Sequence, residues 1–336
     1  MKKCRSISLV IAFLMVFALA ACSGAEPVFR FSVSHIALEN DPLHEGWTML
    51  ARLLEERSGG RIQATILGSR ALSNSNAECA DLVQQNIVQM TSVPGHTAAA
   101  LGNVEPLKVF DFPFLFLSNE DVYTFMDSDL FAEYGRQLER ITGVRAMKGY
   151  SLGWINIMTT NTPPHTIENL AGLRIRTMAT DVQMAIVSSL GGSPISVAFG
   201  ELYTAAQQGI IDGLMTTEGL MVSERFFEVC RYKIRSEIMP LAHIPLLNVE
   251  WYNSLPADLQ QIFDEAFEEF VLYARRIQEA FAEEAVGVLR ANGVTVIEVS
   301  PELRQQFIEA TAAVYANHND AAGPGTVEAV RAVLGR

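Results

Sequence analysis

The chain has 336 residues, 49% hydrophobic and 19% charged, with a formal net charge of −13. That length accommodates two domains and a sizeable core, and the acidic balance excludes nucleic acid or an anionic surface as electrostatic partners. An anionic small molecule remains open, because charges beyond about 8 Å are screened at physiological salt while a nearby arginine dominates its own surroundings.

Lys2, Lys3 and Arg5 form a basic opening, Ile7 to Ala20 is an apolar run too short for a spanning helix, and Leu19-Ala20-Ala21-Cys22 follows the pattern of a lipobox. Residues 1–22 therefore read as a signal peptide with a lipobox, Cys22 being the lipid anchor of an exported, extracytoplasmic protein. A plain cleavage near Ala20 or Ala21 is the rival reading. Loss of residues 1–21 removes three positive charges and takes the net charge to −16. With Cys4 in the signal and Cys22 at the anchor, Cys79 and Cys230 remain, outside any C-x-x-C spacing. They read as small buried apolar residues, with a disulfide between them the alternative in an oxidising compartment.

Phe29 to Val33 alternates as a first strand and enters a polar loop, Ser34 to Pro42. Trp47, Leu50, Leu53 and Leu54 mark the inner face of a helix that ends at Ser58-Gly59-Gly60. A strand over Arg61 to Leu67, a helix from Ala77 to Gln85 and a strand over Ile87 to Thr91 follow, then a turn, Ser92-Val93-Pro94-Gly95-His96. The run Phe110 to Phe116 reads as core beneath a crossover, or as one wall of an apolar pocket. A helix from Asp121 to Arg140 closes the first half. Alternation from Val144 to Asn161 through Met147, Tyr150, Leu152, Trp154 and Ile157 predicts a long strand crossing between domains.

The stretch from Leu170 to Gly213 reads as strand, helix, strand, helix. Its first strand, Gly172-Leu173-Arg174-Ile175-Arg176-Thr177, sets two arginines on one face, which need an anion or water. Strands over Lys233 to Ile238 and Pro245 to Tyr252 lead to apolar residues at steps of three and four from Ala257 to Asn292. Such a helix is about 50 Å long, more than one domain across. Its stripe is aromatic-rich and irregular, which favours packing within one chain over a coiled-coil seam. A strand over Val294 to Val299, a helix over Leu303 to Tyr315 and a polar tail end the chain.

GLRIR, FGELYTAAQQGIIDG, GGRI and DFPFLF together resemble the solute-binding proteins of TRAP transporters, the DctP family, over nearly all of the mature chain. The resemblance implies an α/β, two-lobed periplasmic-binding-protein-like fold of class II type. Its mixed sheets would be flanked by helices, with crossing hinge strands and the long helix 257–292 bracing both lobes. Lobe I would comprise 23–150 plus about 238–256, and lobe II about 151–237 plus C-terminal segments of 281–336. The resemblance further implies that Arg176, the last arginine of GLRIR, meets the ligand carboxylate and that the segment opening at Phe199 walls the pocket. Ser34 and His35 would touch the solute from the first loop, His35 otherwise closing a hydrogen bond within that loop; Pro94 and His96 would face the cleft, His96 as a donor or simply solvated. Relatives often carry an arginine in the stretch Gly153-Trp154-Ile155-Asn156 and this chain has none, so Trp154 and Asn156 are expected to line the cleft instead. Thr216 stands where the family has a carboxylate-binding asparagine, and Glu237 is expected to pair with a ligand amine or be solvated.

Gly149-Tyr150-Ser151-Leu152-Gly153 matches G-x-S-x-G, but the β-branched alternation after it is not the helix that a nucleophile elbow requires. An exported serine hydrolase using Ser151, with His243 its obvious partner, is thus the minor alternative, beside a sensory receptor for a signalling partner. The histidines make no metal-binding spacing and no glycine pair opens a helix as a phosphate loop, so no metal or cofactor is expected. The expected function is capture of a small organic acid for TRAP membrane subunits.

Overall fold

A computed structural model describes residues 27–336. The expected signal peptide and the Cys22 anchor lie outside the described residues. No helix among the described residues is long and apolar enough to cross a membrane.

The first half is β1 (Phe29–Ser34), α1 (Pro42–Arg57), β2 (Ile62–Leu67), α2 (Asn76–Gln84), β3 (Met90–Pro94) and α3 (Gly95–Gly102). After a 3-10 segment, Glu105–Asp111, come α4 (Asn119–Met126), α5 (Asp129–Thr142), β4 (Val144–Ala146) and β5 (Tyr150–Thr159). The second half continues with β6 (Arg174–Thr177), α6 (Asp181–Ser189), β7 (Ser193–Ser196), α7 (Leu202–Gln207), β8 (Gly213–Thr216) and α8 (Glu218–Ser223). The chain ends with β9 (Tyr232–Asn248), α9 (Val249–Ser254), α10 (Ala257–Ala291), β10 (Thr295–Ile297), α11 (Pro301–His318) and α12 (Thr326–Val333).

Strand order is β2-β1-β3-β9-β5-β8-β6-β7, with β4 and β10 paired to β9 off this path. β1 is parallel to β2 and β3, and β6 is parallel to β7 and β8, as helical crossovers demand. Between these parallel groups lie β5 and β9, antiparallel to each other. β9 pairs with β3 and β4 over its last residues, Pro94 facing His243 and Val144 facing Asn248, and with β10 over Tyr232 to Ile234. At 17 residues it reaches roughly 55 Å, so one strand serves both lobes of the two-lobed fold.

The long helix is continuous over Ala257–Ala291 and packs on α1 of the first half and on β5, α8 and β10. Gly46 lets α1 approach, its Cβ position lying 3.3 Å from Phe270, and Trp47 stacks on the same ring at 4.5 Å. Arg275, buried in this helix, donates from Nε to the Gly149 carbonyl at 2.9 Å and bidentately to Asp127 at 2.7 Å. Phe110, Phe112 and Phe116 are buried, Phe110 and Phe116 stacking at 5.2 Å, so the aromatic run is core.

Five local expectations change. The helix expected over Asp121 to Arg140 breaks at Asp127-Ser128, because the Ser128 hydroxyl caps a new helix by accepting from the Phe131 amide. The strands expected at Lys233 to Ile238 and at Pro245 to Tyr252 belong to one, since Pro240 faces an irregularity of β5. That strand stops at Asn248, whose side chain caps α9, so Trp251 and Tyr252 are helical. The polar tail forms α12, and the C-terminal segment divides: α11 packs on α6, whereas 319–333 packs on the 105–126 region of the first half.

Gly149 sits where a Cβ would lie 2.0 Å from the His243 carbonyl oxygen across the two crossing strands. Gly149→Ala is expected to destabilise the protein by about 2 kcal/mol, read as a thermal midpoint several degrees lower by circular dichroism.

Candidate functional site

A cavity of about 420 Å³ opens between the two halves. The loop after β1 supplies His35, Ile36 and Asp41; the end of β3 and start of α3 supply Ser92, Pro94, His96 and Thr97. Opposite them stand Arg176 and Met178 at the end of β6, Ser196 to Phe199 after β7, and Met215 and Thr216 of β8. Leu152, Ile155, Leu241 and His243 of the crossing strands form the floor. These are loop and strand-end positions, where an α/β fold places ligands.

Arg176 is 6% exposed and donates from Nε to the Val197 carbonyl at 3.1 Å. Burial alone lowers its guanidinium to about 10, which leaves it a cation at neutral pH. Arg275, the other buried arginine among the described residues, is matched by Asp127, whereas no described carboxylate lies within ion-pair distance of Arg176. Arg174, two residues earlier, is exposed and clamped by Asp212 at 2.7 Å and by the Gly209 carbonyl. The two arginines of the motif thus have opposite roles, one saturated at the surface and one unmatched in the cavity.

Three histidines stand on the first-half and floor surfaces. His35 contacts His44 at 3.2 Å, and burial, aided by that neighbour, lowers its imidazole to about 4. His243 is within 3.3 Å of the Ser92 hydroxyl, which also accepts from Tyr150, and burial lowers it to about 3. His96 lies 3.3 Å from Asp111. Asp41 caps α1 through the Leu43 amide at 2.9 Å, and burial pushes its carboxyl up.

Of the residues expected at the site, Arg176, Thr216, Phe199, His35, Pro94 and His96 come together on this cavity. Ser34 does not line it; its side chain is fully buried against Cys79 at 3.8 Å. Trp154 and Glu237 face a separate cavity of about 500 Å³ with Glu218, Arg235 and Glu279. Simple alternation would set Trp154 beside Leu152, but a register shift between Ser151 and Trp154, with Gly153 at φ +102°, turns it away and brings Ile155 to the cleft. Asn156 is buried behind the cleft wall, donating to Glu218 at 3.0 Å and accepting from the Glu237 amide at 3.0 Å. Lys233, fully buried, completes that cluster at 2.6 Å from Glu218.

Sequence reasoning missed Asp41, Leu152, Ile155, Met178 and Leu241 as lining residues; the Asp41-Pro42 helix start was a readable signal for the first. Cys79 and Cys230 are buried free thiols, the latter raised to about 12 by burial. The Ser151 hydroxyl donates to the Gly153 carbonyl and accepts from the Gly153 amide, and His243 addresses Ser92.

Contacts cross between the halves beside the cavity. Arg70, after β2, binds Glu224 at 2.7 Å and lies 5.7 Å over the Phe199 ring, while Gln183 of α6 donates to Asp111 at 3.0 Å.

The family described as bacterial extracellular solute-binding protein, family 7 (DctP), matches residues 33–321. The chain belongs to this family. It is 26% identical over 329 residues to the C4-dicarboxylate-binding periplasmic protein DctP of Rhodobacter capsulatus, covering 97% of this chain and 96% of the relative. It is 25% identical over 300 residues to the 2,3-diketo-L-gulonate-binding periplasmic protein of Escherichia coli, covering 88% of each. Among solved structures, the galactonate complex of a sugar acid binding protein from Advenella mimigardefordensis superposes with a TM-score of 0.87 at 21% identity, covering 92% of this chain and 98% of that one. The succinate complex of a TRAP periplasmic solute-binding protein from Shewanella oneidensis gives 0.84 at 25% identity, covering 91% and 99%. DctP-family proteins are extracytoplasmic receptors of TRAP transporters, which fits a two-lobed chain with an interlobe cavity.

Because His35 and His243 titrate near 4 and 3 when folded against 6.5 in model peptides, the unfolded chain binds more protons in between. Their contribution to stability is complete above about pH 6.5 and is lost as pH falls toward the folded values, whereas Asp41 and Glu224, raised by burial, act in the opposite sense. The rise in thermal midpoint from pH 5 to pH 7 is therefore expected to be smaller in a His35→Gln, His243→Gln double variant than in the wild type, in melts at matched ionic strength.

Proposed function

We propose that this chain captures a small organic acid by its carboxylate on Arg176 and delivers it to the membrane subunits of a TRAP transporter. The observation that carries this reading is a buried guanidinium facing an interlobe cavity with no carboxylate of its own. A planar guanidinium offers paired N–H donors to a carboxylate, a fork that lysine cannot reproduce. Its Nε bond to the Val197 carbonyl fixes the plane before ligand arrives. Thr216, His35 and His96 supply further hydrogen-bonding groups, and Pro94 and Phe199 close the walls.

Ligand held by both halves favours the closed arrangement over an open one, and the Arg70–Glu224 and Gln183–Asp111 contacts belong to that arrangement. The chain acts as a receptor and not as an enzyme: the Ser151 hydroxyl is engaged by its own backbone. The basic opening and Leu19-Ala20-Ala21-Cys22 support export with lipid attachment at Cys22.

Ligand at about 100 times its Kd adds roughly 2.7 kcal/mol and shifts the thermal midpoint by several degrees. Arg176→Lys is expected to cut the shift that organic acids give by half or more at the same concentration, for a loss of about 1.5–3 kcal/mol in binding from the charged hydrogen bonds. Equal shifts in Arg176→Lys and wild type would remove Arg176 from the site. Shifts by uncharged sugars in place of acids would end the carboxylate reading.

A further inference from the structure

Arg176 accounts for one end of a ligand, and the rest of the cavity constrains the other. Among the described residues, Arg176 is the only lysine or arginine on the lining. Arg70, close by over Phe199, is matched by Glu224 and does not line the cavity. The one carboxylate on the lining, Asp41, is 4% exposed. His35 and His243 are neutral at physiological pH, so they bring hydrogen bonds and no positive charge. Most lining side chains are apolar, with Ile36, Leu43, Leu152, Ile155, Leu220 and Leu241 from both halves and the floor. The Ser92 hydroxyl among them is already shared between Tyr150 and His243. At about 420 Å³ the cavity is of drug-ligand size, beyond what a four-carbon acid fills.

Resting on the carboxylate-receptor reading above, we propose that the cleft selects a monocarboxylate with an apolar body, such as a branched-chain or aromatic 2-oxo or aryl-alkanoic acid, over dicarboxylates and polyhydroxy acids. A second carboxylate in this cavity has no further lysine or arginine to meet among the described residues, His96 lying 3.3 Å from Asp111, and it shares the space with Asp41; a buried charge without a partner is strongly unfavourable. A sugar acid must pair its hydroxyls with a minority of polar side chains, among them Ser75, Asn76, Thr97, Ser196 and Thr216, and each hydroxyl left against the aliphatic walls weakens binding. An apolar body instead gains by leaving water. The selectivity sets this chain apart from the neighbours solved with succinate and with galactonate.

The test is titration calorimetry on the exported protein, stripped of carried-over ligand by unfolding and refolding. The probes are 4-methyl-2-oxopentanoate, 3-phenylpropanoate, succinate and galactonate, each against wild type and Arg176→Lys, with circular dichroism melts to verify that the variant folds. At least one apolar monoacid is expected to bind 10-fold or more tightly than succinate and galactonate, and to lose 10-fold or more in Arg176→Lys. Succinate or galactonate binding as tightly as the monoacids, and still weakened in Arg176→Lys, overturns the selectivity while the carboxylate reading stands. Binding of no acid, or binding indifferent to Arg176, overturns that reading and the selectivity with it.

Discussion

One buried positive charge without a built-in partner organises this molecule. Removing a guanidinium from water is costly, and proteins ordinarily offset the cost with a fixed carboxylate, as Asp127 does for Arg275. Arg176 is held instead by a single carbonyl, and its depressed pKa reflects that desolvation. The deficit is confined to the cavity: Arg174, Arg70 and Lys233, on the strands and loops around it, are each neutralised by Asp212, Glu224 and Glu218. An incoming anion therefore meets one unmatched charge on a wall of satisfied ones.

The frame that holds this charge is shared between the halves. β5, β9 and α10 each touch elements of both, so relative motion is channelled into bending of two strands whose pairing is irregular between Ser151 and Ile157. Contacts beside the cavity, Arg70 to Glu224 and Gln183 to Asp111, join side chains that sit far apart in sequence and whose partners lie on the opposing half. On the proposed capture at Arg176, binding there and the contacts at these pairs both favour the same closed arrangement.

Regular elements and the strand that carries Arg176 to the cavity were legible in the sequence because their signals are local. The strand ending in Arg176 announces itself by alternation, and the 35-residue helix by uninterrupted three-and-four spacing. Trp154, Asn156 and Glu237 were legible as residues near the crossing strands but not as to side, because a one-residue register shift reverses every side chain after it and depends on backbone pairing to β9. Glu237 has a positive φ of 45°, which no propensity scale anticipates for glutamate. Asp41 and Leu241 escaped notice for another reason: one reads as a helix cap and the other as core, and only the meeting of distant segments makes them a wall.

The sharing of β9 also governs how the chain can acquire its structure. Strand β3, already beside β1, finds its second neighbour only at Pro245 to Leu247, more than 150 residues later, as Met90 to Ser92 pair with them. The first half therefore has an unfilled sheet edge until β9 has been made. Pairings of such sequence separation make for slow, late-committing folding. The sheet of the first half thus stays open on that side until the last third of the sequence is available.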